Sequence, residues 1–213
     1  MIDLNDIKLY LPKYLSASTQ DELFSELKAF PDNIDGRLYT NALAENMVIY
    51  QGDGLRSLLV VRIPDLIPHY LPSIILSNTC DISPDNQRFQ AINVLYSPIY
   101  NLAKYRHLLL KTWAERALQI DDHIMQIKKQ KVTSIFYLPA GGKLADDSFV
   151  FLDQVLFCPQ TELSISNLID DRMFTLSQYG HYLFLFKLAV HFSRARESVD
   201  RNNPSALVAK AGI

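Results

Sequence analysis

Apolar and polar positions change period several times along this 213-residue chain, and each change marks an element. Near the start, Leu23, Phe24, Leu27 and Phe30 recur at helical spacing. They follow Ser18-Thr19-Gln20-Asp21-Glu22, which has the hydroxyl-then-acid order of a capping box, and Pro31 ends the run. From Met47 the period shortens. Met47–Tyr50, Leu58–Ile63, Ile74–Leu76 and Ala91–Tyr96 read as strands, the last ending at Ser97-Pro98. Between them lie the glycine turn Gln51-Gly52-Asp53-Gly54 and the proline-punctuated loop Pro64–Pro72. The Ile74–Leu76 run is the central one: β-branched, proline-flanked, and broken at Ser77-Asn78-Thr79-Cys80-Asp81, whose polar side chains favour a tight turn.

Strand chemistry then pauses. No proline falls between Pro98 and Pro139, and Leu109, Trp113, Ala117, Ile120, Ile124 and Ile127 recur at three- and four-residue spacing. That is a long amphipathic helix, with Asp121-Asp122 as its weakest point. Its stripe must be buried by something, and Trp113 and Ile120 are the residues expected to be covered. Strands resume at Ser134–Leu138, Ser148–Leu152 and Val155–Phe157; a last helix, apolar around most of its circumference, runs from about Ser177 to Phe192. The reading is α+β. Residues 1–46 form a helical lead-in, 47–200 a small, strongly bent antiparallel barrel with a helical insertion at 104–131 and a closing helix, and 201–213 a tail.

Composition narrows the class. A net charge of −2 gives no global case for nucleic acid or an anionic membrane, although it leaves room for a local basic patch. Two cysteines, Cys80 and Cys158, fit a reducing compartment better than a disulfide framework. The acidic start has no signal-peptide pattern, and the longest apolar run, Tyr182–Phe192, is interrupted by Lys187 and His191 and too short to span a bilayer. A cytoplasmic protein without a membrane role is expected. No cofactor or metal motif is present: neither Cys-x-x-Cys nor His-Glu-x-x-His occurs.

The order of several short pieces carries a resemblance. Gln51-Gly52-Asp53 opens the barrel, Pro72-Ser73-Ile74-Ile75-Leu76-Ser77-Asn78 supplies the central strand and turn, and Ser97-Pro98-Ile99 follows a strand. Phe149-Val150-Phe151-Leu152-Asp153-Gln154-Val155 then precedes Leu176-Ser177 and the final helix. Together they resemble the MazF/PemK-like toxin superfamily of SH3-like barrels, over residues 47–103 and 132–193. The resemblance implies that fold and a bacterial defence or toxin–antitoxin setting. Ribonucleases of the family place an arginine before the proline of the central strand and a threonine or serine after the Pro-Ile pair. Leu71 and Tyr100 stand there in this chain. Leucine cannot stabilise charge on a scissile phosphate. The resemblance therefore implies the fold without inherited RNA cleavage, and a degenerate barrel acting as a protein or RNA interaction module.

Two sets of residues remain as candidate chemistry. In Asn78-Thr79-Cys80-Asp81, Cys80 would be a nucleophile if one of the five histidines lowered its pKa, with Asp81 orienting that base. Alternatively, Cys80 packs as a small hydrophobe while Asn78 and Asp81 bond the turn. An enzyme, either a divergent ribonuclease or a Cys80-dependent hydrolase, thus stands as the alternative to the interaction module. The second set is Arg194, Arg196 and Arg201 with Lys128-Lys129-Gln130-Lys131, which cap helix ends unless they share a face with Tyr100 or Tyr137; together they would then form an RNA-binding surface. Assembly with a protein partner or a second copy through the inserted helix is the remaining expectation.

Overall fold

A computed structural model describes residues 37–83, 85–86, 89–163 and 167–193. The helix expected at Leu23–Phe30, the tail, and Arg194 and Arg196 lie outside the described residues. The chain is α+β. Among the described residues eight strands form one antiparallel sheet, seven of them in the order β1 (Tyr39–Thr40), β8 (Arg172–Leu176), β2 (Gly54–Val60), β3 (His69–Ile75), β4 (Asn93–Asn101), β6 (Ser148–Phe151) and β5 (Ile135–Leu138). The eighth, β7 (Leu156–Pro159), pairs with the first part of β4.

The central strand sits where its composition requires. β3 runs between β2 and β4, and Ile74 and Ile75 are fully buried. The strand begins earlier than expected, at His69, because Leu58, Leu59 and Val60 of β2 pair with Leu71, Tyr70 and His69. β4 does not stop at Ser97-Pro98. Pro98 has no N–H to donate and stands near where β4 exchanges β7, paired at Asn93–Tyr96, for β6, paired at Ile99–Asn101. Ser97 Oγ fills in by donating to Phe151 O at 2.8 Å.

Met47–Tyr50 is not a strand, for a reason the local sequence does not carry. Arg172, buried on β8, donates through Nη1 to the carbonyls of Leu43 (2.9 Å), Ala44 (3.1 Å) and Asn46 (2.6 Å), and through Nη2 to that of Val48 (2.5 Å). One guanidinium thus takes up the Val48 carbonyl within the expected strand and three more on its approach. Its Nε meets Asp53 Oδ2 at 3.2 Å, with both side chains almost wholly buried. Asp53 also accepts from Tyr50 N, so the acid and arginine fix the loop from its two ends.

The sheet curls strongly but does not close. Across the gap, Lys143 N donates to Met173 O at 2.7 Å and Tyr39 Oη to Pro139 O at 2.8 Å, with no ladder between β1 and β5. The closing helix, α5 (Gln178–Ser193), covers that gap. Gly180 passes so close to Leu38 that an added Cβ would lie 2.2 Å from its carbonyl oxygen, and Phe184 packs on Phe136 with ring centroids 5.0 Å apart. The main core lies inside the curl and includes Phe136, Phe149, Phe174, Tyr179 and Phe184. A second core joins Leu55, Leu58, Ile75, Val94 and Tyr96 to α1 (Thr79–Ile82) and α4 (Leu168–Asp171).

The insertion is two helices rather than one: α2 (Leu102–Thr112) and α3 (Ala117–Lys128), joined by a 3-10 turn at Ala114–Arg116. The break falls at Trp113, not at Asp121-Asp122. Leaving helical geometry there rotates the second half of the stripe onto the sheet, so Ile120 and Ile127 are buried while Trp113 is 45% exposed. The expected burial of Trp113 is thereby corrected, and that of Ile120 holds. Leu108, Leu118 and Met125 also face out.

Candidate functional site

Asn78, Thr79, Cys80 and Asp81 do not form the expected simple turn. They start α1, a single helical turn. Asn78 is its N-cap, with Oδ1 accepting from Cys80 N at 2.9 Å. Thr79 Oγ1 accepts from Gln51 N at 2.9 Å, and Gln51 Nε2 donates to Leu76 O at 2.7 Å. The Gln51 turn and the motif after the central strand are therefore one hydrogen-bonded unit, with His181 Nε2 3.3 Å from Gln51 Oε1. Burial pushes His181 below its ordinary pKa, which keeps that ring neutral near pH 7.

Cys80 itself is exposed. It is not the packed small hydrophobe of one sequence reading. Nor does it meet the needs of the other, because among the described residues its thiol has no hydrogen-bond partner and no histidine bonded to it. Beside it, Asn78 and Asp81 line a shallow, mostly polar cleft of about 410 Å³ with Gln90, Asn93 and Leu95. Cys158 is half-buried, and its pKa is raised by burial and by the nearby Glu162 charge. Among the described residues no group of three or more His, Cys, Asp or Glu is placed to hold a metal ion.

Tyr100 occupies a more organised setting. At its position on β4 the hydroxyl donates to Gln154 Oε1 at 2.7 Å and accepts from Arg62 Nη2 at 2.8 Å, while the Arg62 guanidinium lies 5.5 Å from the ring centroid. The ring belongs to an aromatic group with Phe149, Phe151 and Tyr105, and Tyr105 Oη lies 3.3 Å from His123 Nε2. Sequence reasoning missed Arg62 and Gln154. They lie 38 and 54 residues from Tyr100, and no spacing rule joins them.

Tyr137 is not with Tyr100 on an open face. It is buried in the main core, its ring 6.0 Å from the Lys128 ammonium. Lys128 is engaged as well, donating to Asp147 Oδ2 at 2.6 Å. Burial works against the Asp147 charge, but hydrogen bonds from Lys128, Ala140 N–H and Tyr137 outweigh it and hold the carboxyl below its ordinary pKa. Arg106 is paired with Asp121 at 2.7 Å. The cations of the insertion are thus partly neutralised where an RNA-binding face would need them free.

The exposed feature that stands out is apolar. From β2 through the connecting loop to β3, Leu59, Ile63 (90% exposed), Leu66 (71%), Ile67 and Tyr70 all face solvent, with Leu59 and Tyr70 a cross-strand pair. Arg62 lies among them and ties this hairpin to Tyr100 and Gln154. Among the described residues no helix is long and apolar enough to cross a membrane. Compared with protein-family models and with curated proteins, the chain matches neither.

Proposed function

We propose that this chain is a protein-interaction module on a divergent MazF/PemK-like, SH3-like barrel, working in a bacterial defence or toxin–antitoxin setting and not cleaving RNA. One observation carries the reading: the β2–β3 hairpin holds four large aliphatic side chains and Tyr70 out in water beside Arg62. Aromatic, arginine and aliphatic residues around a desolvatable centre are the composition of a protein interface. The docking surface is this hairpin and not the inserted helices, whose exposed Leu108, Trp113 and Leu118 are separated by Lys111, Glu115 and Arg116.

A second reading rests on a different observation. Arg62 sets a cation on the Tyr100 hydroxyl, so the arginine missing at position 71 has a substitute in space, and a divergent ribonuclease would use that pair. The protein reading is favoured because the loop that follows Arg62 exposes Ile63, Leu66 and Ile67, and because the cations Lys128 and Arg106 are in ion pairs. A photo-crosslinking side chain at position 66, in cells, tests it. Protein adducts that disappear in an Ile63→Asp background are expected, and purified protein should neither bind nor cleave mixed-sequence single-stranded RNA at physiological salt. Binding or cleavage lost on Arg62→Ala or Tyr100→Phe would replace the module with the ribonuclease.

A further inference from the structure

The closing helix turns an uncharged apolar face away from the sheet. Within α5, Tyr182, Leu183, Phe184 and Lys187 are buried, whereas Phe192 is 65% exposed, Ala189 is exposed and Leu185 is half-buried. Leu185, Ala189 and Phe192 recur at four- and three-residue spacing, so they lie on one stripe. The helix contains no arginine, aspartate or glutamate, and its lysine is the buried Lys187. A surface helix ordinarily carries charged side chains on its outer face, and this one carries none. The described chain enters at the foot of the same helix. The Arg37 carbonyl accepts from Ser177 Oγ, the Leu38 carbonyl accepts from Ser177 N at 2.8 Å, and Leu38 lies against Gly180.

The sequence before Arg37 holds a stripe of matching period: Leu23, Leu27 and Phe30 recur at four- and three-residue spacing, behind the capping box and ahead of Pro31. We infer that residues 19–30 of this chain pack as a helix antiparallel to α5 and cover its outer face, with Phe30 opposite Leu185, Leu27 opposite Ala189 and Leu23 opposite Phe192. Length and reach agree with that occupant. Each stripe is about 10 Å long at the α-helical rise. Residues 31–36 extend to about 20 Å, against about 8 Å along α5 from Gly180 to Leu185. The small side chain of Ala189 leaves room for Leu27. A six-residue tether also holds the segment at an effective concentration on the order of millimolar. A free partner would have to compete with that at a face that has no charge to recognise it by. The contact does not involve the β2–β3 hairpin, so it stands or falls apart from the interaction reading.

Hydrogen exchange of the full chain, read by mass spectrometry, tests it. Amides of residues 23–30 should exchange at least about tenfold more slowly than in a peptide of the same sequence. Phe192→Asp should return them to the peptide rate while the amides of β3 and β4 stay protected; Phe192 is exposed near the end of α5, so the fold survives the change. A disulfide supplies a second readout. In a Cys80→Ser background, Leu27→Cys with Ala189→Cys should oxidise to a species of monomer mass, 24.3 kDa. Leu27→Cys with Leu108→Cys, on the exposed side of the insertion, should stay reduced. Leu66→Asp should change none of these results, although it disrupts the hairpin surface. Residues 23–30 exchanging at the peptide rate in the wild type would overturn the assignment, as would protection that survives Phe192→Asp. A disulfide formed only between two chains would replace the chain's own segment with that of a second copy, and would overturn it too.

Discussion

Gln130 ends the sheet, and replacing it should show how much that termination is worth. β5 is an edge strand, yet Tyr137 in its middle has both backbone groups bonded outward: Tyr137 N donates to Gln130 Oε1 at 3.1 Å, and Gln130 Nε2 donates to Tyr137 O at 2.8 Å. The carboxamide stands in for one residue of a neighbouring strand, which protects an edge that would otherwise recruit another chain. To do so Gln130 adopts a left-handed backbone with φ 55° and is almost wholly buried. Gln130→Leu keeps the bulk and orphans two buried backbone groups at about 1–3 kcal/mol each, so a loss of roughly 2–5 kcal/mol is expected. For a chain of this size that lowers the melting temperature by about 5–15 °C. Gln130→Gly separates the possible causes. Glycine relieves a left-handed strain of about 1–2 kcal/mol but still removes the carboxamide, so it should fall between wild type and Gln130→Leu. Urea denaturation and hydrogen exchange at the Tyr137 amide read the two effects, the amide becoming fast-exchanging in both variants. A Gln130→Gly protein as stable as wild type, with Tyr137 still protected, would show that the carboxamide does not terminate the sheet.

Lys187 should make stability rise in alkali. Buried against the carbonyls of Gln130 (2.8 Å) and Val132 (2.6 Å), it has a folded pKa lowered by burial from 10.5 to about 8. Between those values the unfolded chain binds the extra proton, so stability increases with pH from about 8 to about 10.5, by on the order of 3 kcal/mol. Denaturation midpoints of Lys187→Met should lack that rise, and a parallel slope in both proteins would refute it. Native-state alkylation followed by mass spectrometry should label exposed Cys80 well before Cys158, whose thiolate is disfavoured by burial and by Glu162; the reverse order would contradict the placement of α1. Arg172→Met should destabilise by about 3–5 kcal/mol, because it leaves Asp53 buried without its partner, and should expose the 41–50 backbone to limited proteolysis. An Arg172→Met chain with an unchanged cleavage pattern would show that the guanidinium does not hold the loop.

Most of the sheet was legible because its strands obey local rules. Ile74–Leu76, Ser134–Leu138 and Ser148–Leu152 are short β-branched or aromatic runs between turn residues, and each lies in or beside a strand of the structure. The readings that failed did so where contacts distant in sequence, or the packing of the whole fold, decided the outcome. Met47–Tyr50 has strand composition, but Arg172, more than a hundred residues away, takes the Val48 carbonyl and those of the residues just before it. The insertion has a continuous helical stripe, but the fold breaks it at Trp113, so periodicity found the helices and misplaced their joint. Tyr39–Thr40 is too short to show any period, and it becomes the strand β1 only by pairing with β8.

The same distinction explains why the candidate site was harder to see than the fold. Asn78 to Asp81 drew attention because polar residues follow an apolar strand, and in the structure their main work is conformational: Asn78 caps a turn of helix and Thr79 anchors Gln51. Tyr100 stands where a smaller hydroxyl residue is expected, and its hydroxyl is held from two sides. Its ring is too large to replace serine or threonine, but its reach lets it meet Arg62 from another loop and Gln154 from beyond β6. The arginine sought at Leu71 would have stood on the central strand. Arg62 instead stands at the base of an exposed apolar loop, and that change of setting alters the chemistry on offer. A cation inside a polar cleft stabilises a phosphate; on the proposed interaction reading, a cation beside Ile63, Leu66 and Ile67 would be the charged rim of an apolar contact. Which of the two Arg62 serves turns on its setting, which joins the Tyr100 hydroxyl and ring on one side to the exposed aliphatic residues of its own loop on the other.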